Sequence, residues 1–172
     1  MINSRKPREA VISLNGTQIA KIREEDNLTF KLINEREGRE WILSNKVHGE
    51  FRPFSMSISE LKDEALNEVL TIREHLFKYN DKFYMLTNHP EGRSWNDYLS
   101  GLRYISRLDN FPFENLEEID HHTRQRVKRF RGVPVGEASG LGIHSHHAKI
   151  GEELQEVGLL IAAASFILYS MA

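Results

Sequence analysis

Residues 157–172 read VGLLIAAASFILYSMA and carry no charged side chain, although charged residues make up 28% of the 172-residue chain. A segment of this kind has to be shielded from water by lipid, by the core of the protein or by another subunit. Which of the three shields it decides whether the protein is tethered to a membrane or freely soluble.

The composition of residues 157–172 favours a membrane anchor, and their length is marginal for one. As an α-helix the segment would span roughly 24 Å, somewhat less than the ~30 Å hydrocarbon core of a bilayer. Apolar residues occur all around this helix, and the run continues to the last residue, as in a tail anchor. We therefore expect membrane lipid as a partner, and retain a buried core helix and an oligomerisation helix as alternatives.

A face of mainly small residues runs along the same segment. Gly158, Ala162, Ser165 and Tyr169 follow each other at steps of four, three and four residues. Small residues on one helix face let another element approach closely, so these positions predict a helix-packing face and favour pairing with a second helix. All three environments for the tail remain compatible with such a face.

The composition narrows the classes of function. The chain has no cysteine, which excludes thiol nucleophiles, thiolate zinc sites, iron–sulfur clusters and disulfides. Its 23 basic and 25 acidic residues leave a net charge of −2, so no global field attracts nucleic acid. The first residues, MINSRKPREA, lack the apolar stretch of a secretory signal peptide, and we expect a cytoplasmic domain.

Turn and strand signals dominate the first part of the chain. Asn15-Gly16 is typical of a two-residue hairpin turn, because both residues tolerate positive φ. Leu28, Phe30 and Leu32 share one face of an extended segment by the period of two. We predict an antiparallel meander of three or four strands at this end.

Helical spacing appears after residue 56. Ser57 and Glu60 have the spacing of a capping box, and an apolar stripe at intervals of three and four follows them. The stripe consists of Leu61, Ala65, Val69, Ile72 and Leu76. A second amphipathic helix is predicted after Ser94, and a charged helix over residues 114–131, acidic at its start and basic at its end.

These elements predict an α+β fold in which amphipathic helices cover the small meander. Residues 1–131 would form a soluble α+β domain, residues 132–144 a glycine-rich hinge, and residues 145–172 the apolar C-terminal helix. The hinge is predicted from the four glycines and one proline in GVPVGEASGLG, residues 132–142.

Histidines cluster just before the predicted last helix. His144, His146 and His147 could supply imidazole nitrogens to a divalent metal such as zinc, nickel or copper, with Glu152 or Glu153 completing the ligand set. The run HSHHAKIGEE lacks the pair of histidines four residues apart that helical hydrolytic metal sites use. A solvated helix start is the structural alternative.

A basic stretch at residues 124–131 offers a site for anions. Arg124, Lys128 and Arg131 would share one helix face and could contact the phosphates of nucleic acid or of anionic lipid. The alternative is a solvated helix end whose positive charges offset the helix dipole.

No motif in the sequence identifies a reaction, and we assign no catalytic residue. The pattern favours a non-enzymatic binding or assembly factor, tethered to a membrane or held in an oligomer through its C-terminal helix, with a protein partner or self-association. A small metal-binding protein or metal-dependent enzyme using the histidines is one alternative. A nucleic-acid-binding module using the basic stretch is another.

Overall fold

The computed structural model describes residues 8–26, 28–46, 55–87, 103–109, 111–120, 132–140 and 145–171, which form a closed barrel of 11 strands. The strands are β1 (Glu9–Leu14), β2 (Thr17–Asp26), β3 (Thr29–Asn34), β4 (Arg39–Lys46), β5 (Ser55–Lys62), β6 (Ala65–Arg73), β7 (Leu76–Tyr79), β8 (Lys82–Thr87), β9 (Arg103–Leu108), β10 (Gly132–Gly140) and β11 (Ser145–Ile150). A 3-10 helix, Glu152–Val157, leads from β11 into the helix α1 (Gly158–Met171), and a 3-10 turn lies at Leu116–Glu118.

The barrel is an up-and-down meander in which every strand pairs antiparallel with the next one in sequence. An odd number of alternating strands brings the first and the last together in the same direction. β1 and β11 accordingly pair in parallel, from Val11↔Ser145 to Leu14↔Ala148, and close the barrel.

Two-residue turns set the register of several hairpins. The predicted turn at Asn15-Gly16 is present, with φ of 50° and 86°. The β5–β6 hairpin turns at Asp63 and Glu64, which adopt φ of 52° and 63° although neither is glycine or asparagine. Turns of this handedness match the right-handed twist of the flanking strands.

The helix α1 lies inside the barrel, where residues 161–167 are buried. Its backbone runs closest to β1, β2, β10 and β11. These strands present small residues to the interior, including Ala20, Ala138 and Ala148, whereas the opposite wall, around β5 to β7, presents larger ones, including Met56, Ile58 and Phe77. The difference in side-chain size allows a helix placed off the barrel axis to fill the interior.

The predicted α+β fold is wrong, because strands replace most of the predicted helices. Leu61, Ala65, Val69, Ile72 and Leu76 lie on β5, β6 and β7 instead of on one helix. Ile72 is fully buried and Val69 is 44% exposed, which a single helical stripe facing a core would not produce. Packing in the barrel has overridden the local helical spacing. The second predicted helix ends where the structure has the strand β9.

The glycine-rich segment is a strand in the structure. Residues 132–140 form β10, whose partners on either side are β9 and β11. A Cβ atom at Gly136 would lie 2.7 Å from the carbonyl oxygen of Lys149, so close approach of β11 requires glycine at this position. Of the predicted charged helix, residues 116–118 form the 3-10 turn, and residues 121–131 lie outside the described residues.

The predicted tail-anchored membrane helix is also wrong. Residues 160–167 of this segment are buried in the barrel interior, and this environment satisfies the same composition that lipid would. Among the described residues no helix is both long enough and apolar enough to cross a bilayer. The alternative of a core helix is the one that the structure shows.

Candidate functional site

The three histidines predicted to bind metal do not come together in the described structure. His146 is fully buried in the barrel, with its ring centroid 5.8 Å from that of Phe166 in α1. His147 is half-buried on the opposite face of β11, because neighbouring strand residues point to opposite sides. His144 lies outside the described residues, within which no group of three potential metal ligands is found. Metal binding stays a prediction.

The second predicted site is the basic stretch at residues 124–131. Arg124, Lys128 and Arg131 lie outside the described residues, so nucleic-acid or lipid binding through them stays a prediction.

The predicted helix-packing face lies within the barrel. Gly158, Ala162 and Ser165 are buried there, whereas the side chain of Tyr169 is not among those described. Gly158 lies against Leu14 and Ile150, since a Cβ atom there would be 3.4 Å from each side chain. The barrel wall, instead of a second helix, is what this glycine approaches.

Within the part of the chain that the structure describes, one strand of the barrel has an edge that lacks a ladder partner. β6 pairs with β5 along its whole length, but with β7 only at Ile72↔Phe77 and Arg73↔Leu76. Residues 65–71 of β6, which we call the open edge, therefore project past the end of the β6–β7 ladder. At about 3.4 Å per residue the seven residues of the open edge are roughly 24 Å long.

Hairpin geometry shows which backbone groups the open edge presents. A two-residue turn is closed by a hydrogen-bonded pair, here Lys62 and Ala65, and antiparallel pairing then alternates along the strand. The N–H and C=O groups of Leu66 and Glu68 consequently point away from β5. Counting from the β6–β7 turn in the same way, those of Thr71 point away as well.

The side chains of the open edge are unusually apolar for an exposed hairpin. Leu66 is 59% exposed and Val69 is 44% exposed. Val69 is the extra residue of a β-bulge, because Ile58 pairs with Leu70 while Ser59 pairs with Glu68. Sheet edges are commonly protected by lysine or proline, and residues 65–71 contain neither. The bulge and one glutamate are the protection that this edge has.

A polar cluster fastens the start of α1 to the barrel. Glu153 accepts a 2.7 Å hydrogen bond from the Tyr84 hydroxyl, and its oxygens lie 2.9 and 3.1 Å from a guanidinium nitrogen of Arg107. Burial alone would raise the pKa of Glu153, but the hydrogen bonds from Tyr84 and Arg107 outweigh it and lower the pKa. Burial, with the bond to Glu153, raises the pKa of Tyr84.

A groove of about 890 Å³ lies beside this cluster, around the β7–β8 turn. It contains acids and bases together, including Lys78, Lys82 and Asp81. Two of its cations already serve the fold: Arg107 binds Glu153 and Asp109, and Lys78 donates to the carbonyl of Glu114. Part of the positive charge of the groove is therefore already engaged within the fold.

Sequence reasoning missed the open edge because it assigned a helix there. The turn at Asp63 and Glu64 has one usual turn residue, the aspartate, but no glycine, proline or asparagine, so its sequence signal for a hairpin is weak. Comparisons with protein families, with curated proteins and with solved structures found no match to this chain.

Proposed function

We propose that this protein is a non-enzymatic binding module that adds an extended segment of a partner protein to the open edge of β6. The observation that carries the proposal is this edge, with which no described strand pairs, and the exposure of Leu66 and Val69 beside it. The helix α1 fills the interior that a ligand would enter in other barrels, which leaves the outer surface for recognition.

Strand addition suits the groups that the open edge presents. A partner strand would exchange the water on the outward amides of Leu66, Glu68 and Thr71 for main-chain hydrogen bonds, each contributing about 0.5–1.5 kcal/mol. It would also cover part of the Leu66 side chain, at about 25 cal/mol per Å² of apolar surface. Main-chain bonds supply affinity in this binding mode, and side chains supply specificity.

Proline at Leu66 provides a selective test. The N–H of Leu66 points away from β5, so Leu66→Pro removes an outward donor while sparing the β5–β6 ladder. Random ten-residue peptides displayed on phage would be selected on the full-length protein and then measured against L66P. Val133→Thr is the control, because Val133 is a 40% exposed apolar residue on β10.

We expect enriched peptides that bind the wild type and V133T equally and lose at least tenfold in affinity for L66P. Urea unfolding of L66P establishes that the variant is folded. The proposal is wrong if no peptide is enriched on the wild type, or if folded L66P binds the enriched peptides as well as the wild type does.

A further inference from the structure

We infer that the segment bound at the open edge belongs to a different protein and is positively charged. This inference rests on the proposed function and concerns the chemistry of the partner. The hairpin tip carries three carboxylates, at Asp63, Glu64 and Glu68, against a single lysine, Lys62. All four side chains are exposed.

These carboxylates have no cationic partner among the side chains that the structure describes. Within the described part of the chain none of the three forms a salt bridge, and the carboxylate of Glu68 accepts a hydrogen bond from the neutral hydroxyl of Thr71. The nearby Glu60 differs, because Arg39 binds it at 2.6 Å. The hydrogen bond from Arg39 lowers the pKa of Glu60 despite partial burial, and the charge of Lys62 adds to the effect.

A second copy of this chain fits the hairpin end of the open edge poorly. Two-fold antiparallel pairing has to join outward amides, and where it joins those of Leu66 and Glu68 the registers between the two copies are Leu66↔Leu66, Leu66↔Glu68 and Glu68↔Glu68. The register Leu66↔Leu66 places Glu64 opposite Glu68 of the other copy. The register Leu66↔Glu68 places the two Glu68 side chains diagonally, and the register Glu68↔Glu68 places them opposite each other. Like charges directly opposite on neighbouring strands are destabilising.

A cationic segment fits the same geometry. Some residues of the partner would lie opposite or diagonal to Glu68, or near the turn. If these residues were lysine or arginine, they would form charge pairs with Glu68 and with the carboxylates of the turn. An apolar residue in register with Leu66 would cover the exposed leucine. Cross-strand charge pairs each change affinity by about 1.5- to 5-fold, so three of them give roughly 3- to 100-fold, with tenfold near the middle of that range.

The test uses a second library of peptides displayed on phage. In these peptides, positions occupied by valine or threonine alternate with variable positions, at which lysine, glutamine and glutamate are equally frequent. It is selected in parallel on the wild type and on the triple variant Asp63→Asn, Glu64→Gly, Glu68→Gln. Asn-Gly suits the positive φ of the turn, and glutamine has the shape of glutamate, so the variant removes charge while keeping the hairpin. Each enriched pool is then measured against L66P, and the oligomeric state of the wild type is measured by sedimentation.

We expect lysine to exceed glutamate about tenfold in the wild-type pool that L66P fails to bind, and to lose this excess on the triple variant. A pool that is sensitive to L66P but shows no excess of lysine overturns the charge inference and leaves the proposed function intact. A pool insensitive to L66P overturns the proposed function itself. A wild-type dimer that L66P abolishes identifies a second copy as the occupant and also overturns the inference.

Discussion

At the scale of single residues, Glu153 illustrates how one carboxylate positions a whole element. It lies in the 3-10 helix just before α1 and binds Tyr84 on β8 and Arg107 on β9. A second contact of the same kind joins Glu156 to Tyr79 on β7, at 3.0 Å. These bonds fix where the chain leaves the wall and turns into the barrel.

Glu153→Gln should lower the free energy of unfolding by about 1 kcal/mol at pH 7, chiefly through the weakened hydrogen bond from Tyr84. The pKa of Glu153 in the folded protein lies below its ordinary value of 4.5, so the carboxylate stabilises the fold fully above that pH. The stabilisation is lost as the pH falls through the lowered pKa. Urea unfolding at pH 7, 5 and 3 should show the difference between wild type and E153Q shrinking below pH 4.5.

Glu152→Gln is the matched control for this prediction, since Glu152 is exposed in the same turn. The assignment fails if E153Q and E152Q are equally stable at pH 7. It also fails if the loss in E153Q stays constant down to pH 3.

At the scale of elements, the alternation of backbone groups along β6 makes a sharp distinction between neighbouring residues. Leu66→Pro should cost less than about 1 kcal/mol, because the lost N–H faces water. Asn67→Pro should cost about 1–3 kcal/mol more, because the N–H of Asn67 points into the ladder with β5. Urea unfolding of both variants measures the difference, and equal losses would contradict the orientation assigned to the open edge.

The wall beside α1 makes a second distinction at this scale. Ala148 is 3% exposed on β11, one of the strands nearest the helix. Ala148→Leu should destabilise the protein by about 1–3 kcal/mol, because the helix leaves no room for a larger side chain. Thermal unfolding provides the measurement, and Val133→Leu on the exposed face of β10 is the control. An A148L variant as stable as the wild type would mean that α1 does not lie against this wall.

Sequence reasoning was successful where structure is local and failed where it is not. Asn15-Gly16 predicts its hairpin because the two residues alone favour the turn. The β5–β6 hairpin has a weaker signal, because only Asp63 is a usual turn residue and the flanking strands hold Asp63 and Glu64 at positive φ. Leu61, Ala65 and Val69 then matched a helical period by chance, and the open edge of β6 could not be foreseen.

At the scale of the whole molecule, the barrel is built around its own C-terminus. A helix that lies in lipid and a helix that lies inside a closed sheet require the same uncharged, apolar composition, because both are surrounded by apolar groups. The sequence alone therefore indicated that residues 157–172 are shielded, but not by what. The partner wall comes from strands β1, β2, β10 and β11 at both ends of the chain, and no local pattern reports that pairing.

The burial of α1 is large enough to decide whether the barrel folds. Its apolar residues Leu160, Ile161, Phe166 and Ile167 are each 5% exposed or less. Burying such a side chain contributes about 1.5–3 kcal/mol, so the four together are comparable to the roughly 5–15 kcal/mol that stabilise an ordinary domain.

The most direct test of this account is urea unfolding of a chain that ends at Val157, compared with the full-length protein. Without α1 the interior of the barrel is not filled by side chains. We therefore predict that the shortened chain lacks a cooperative unfolding transition and exchanges its backbone amide hydrogens rapidly. A shortened chain that unfolds cooperatively with the same free energy as the full-length protein would contradict the account, because the helix would then lie outside the core.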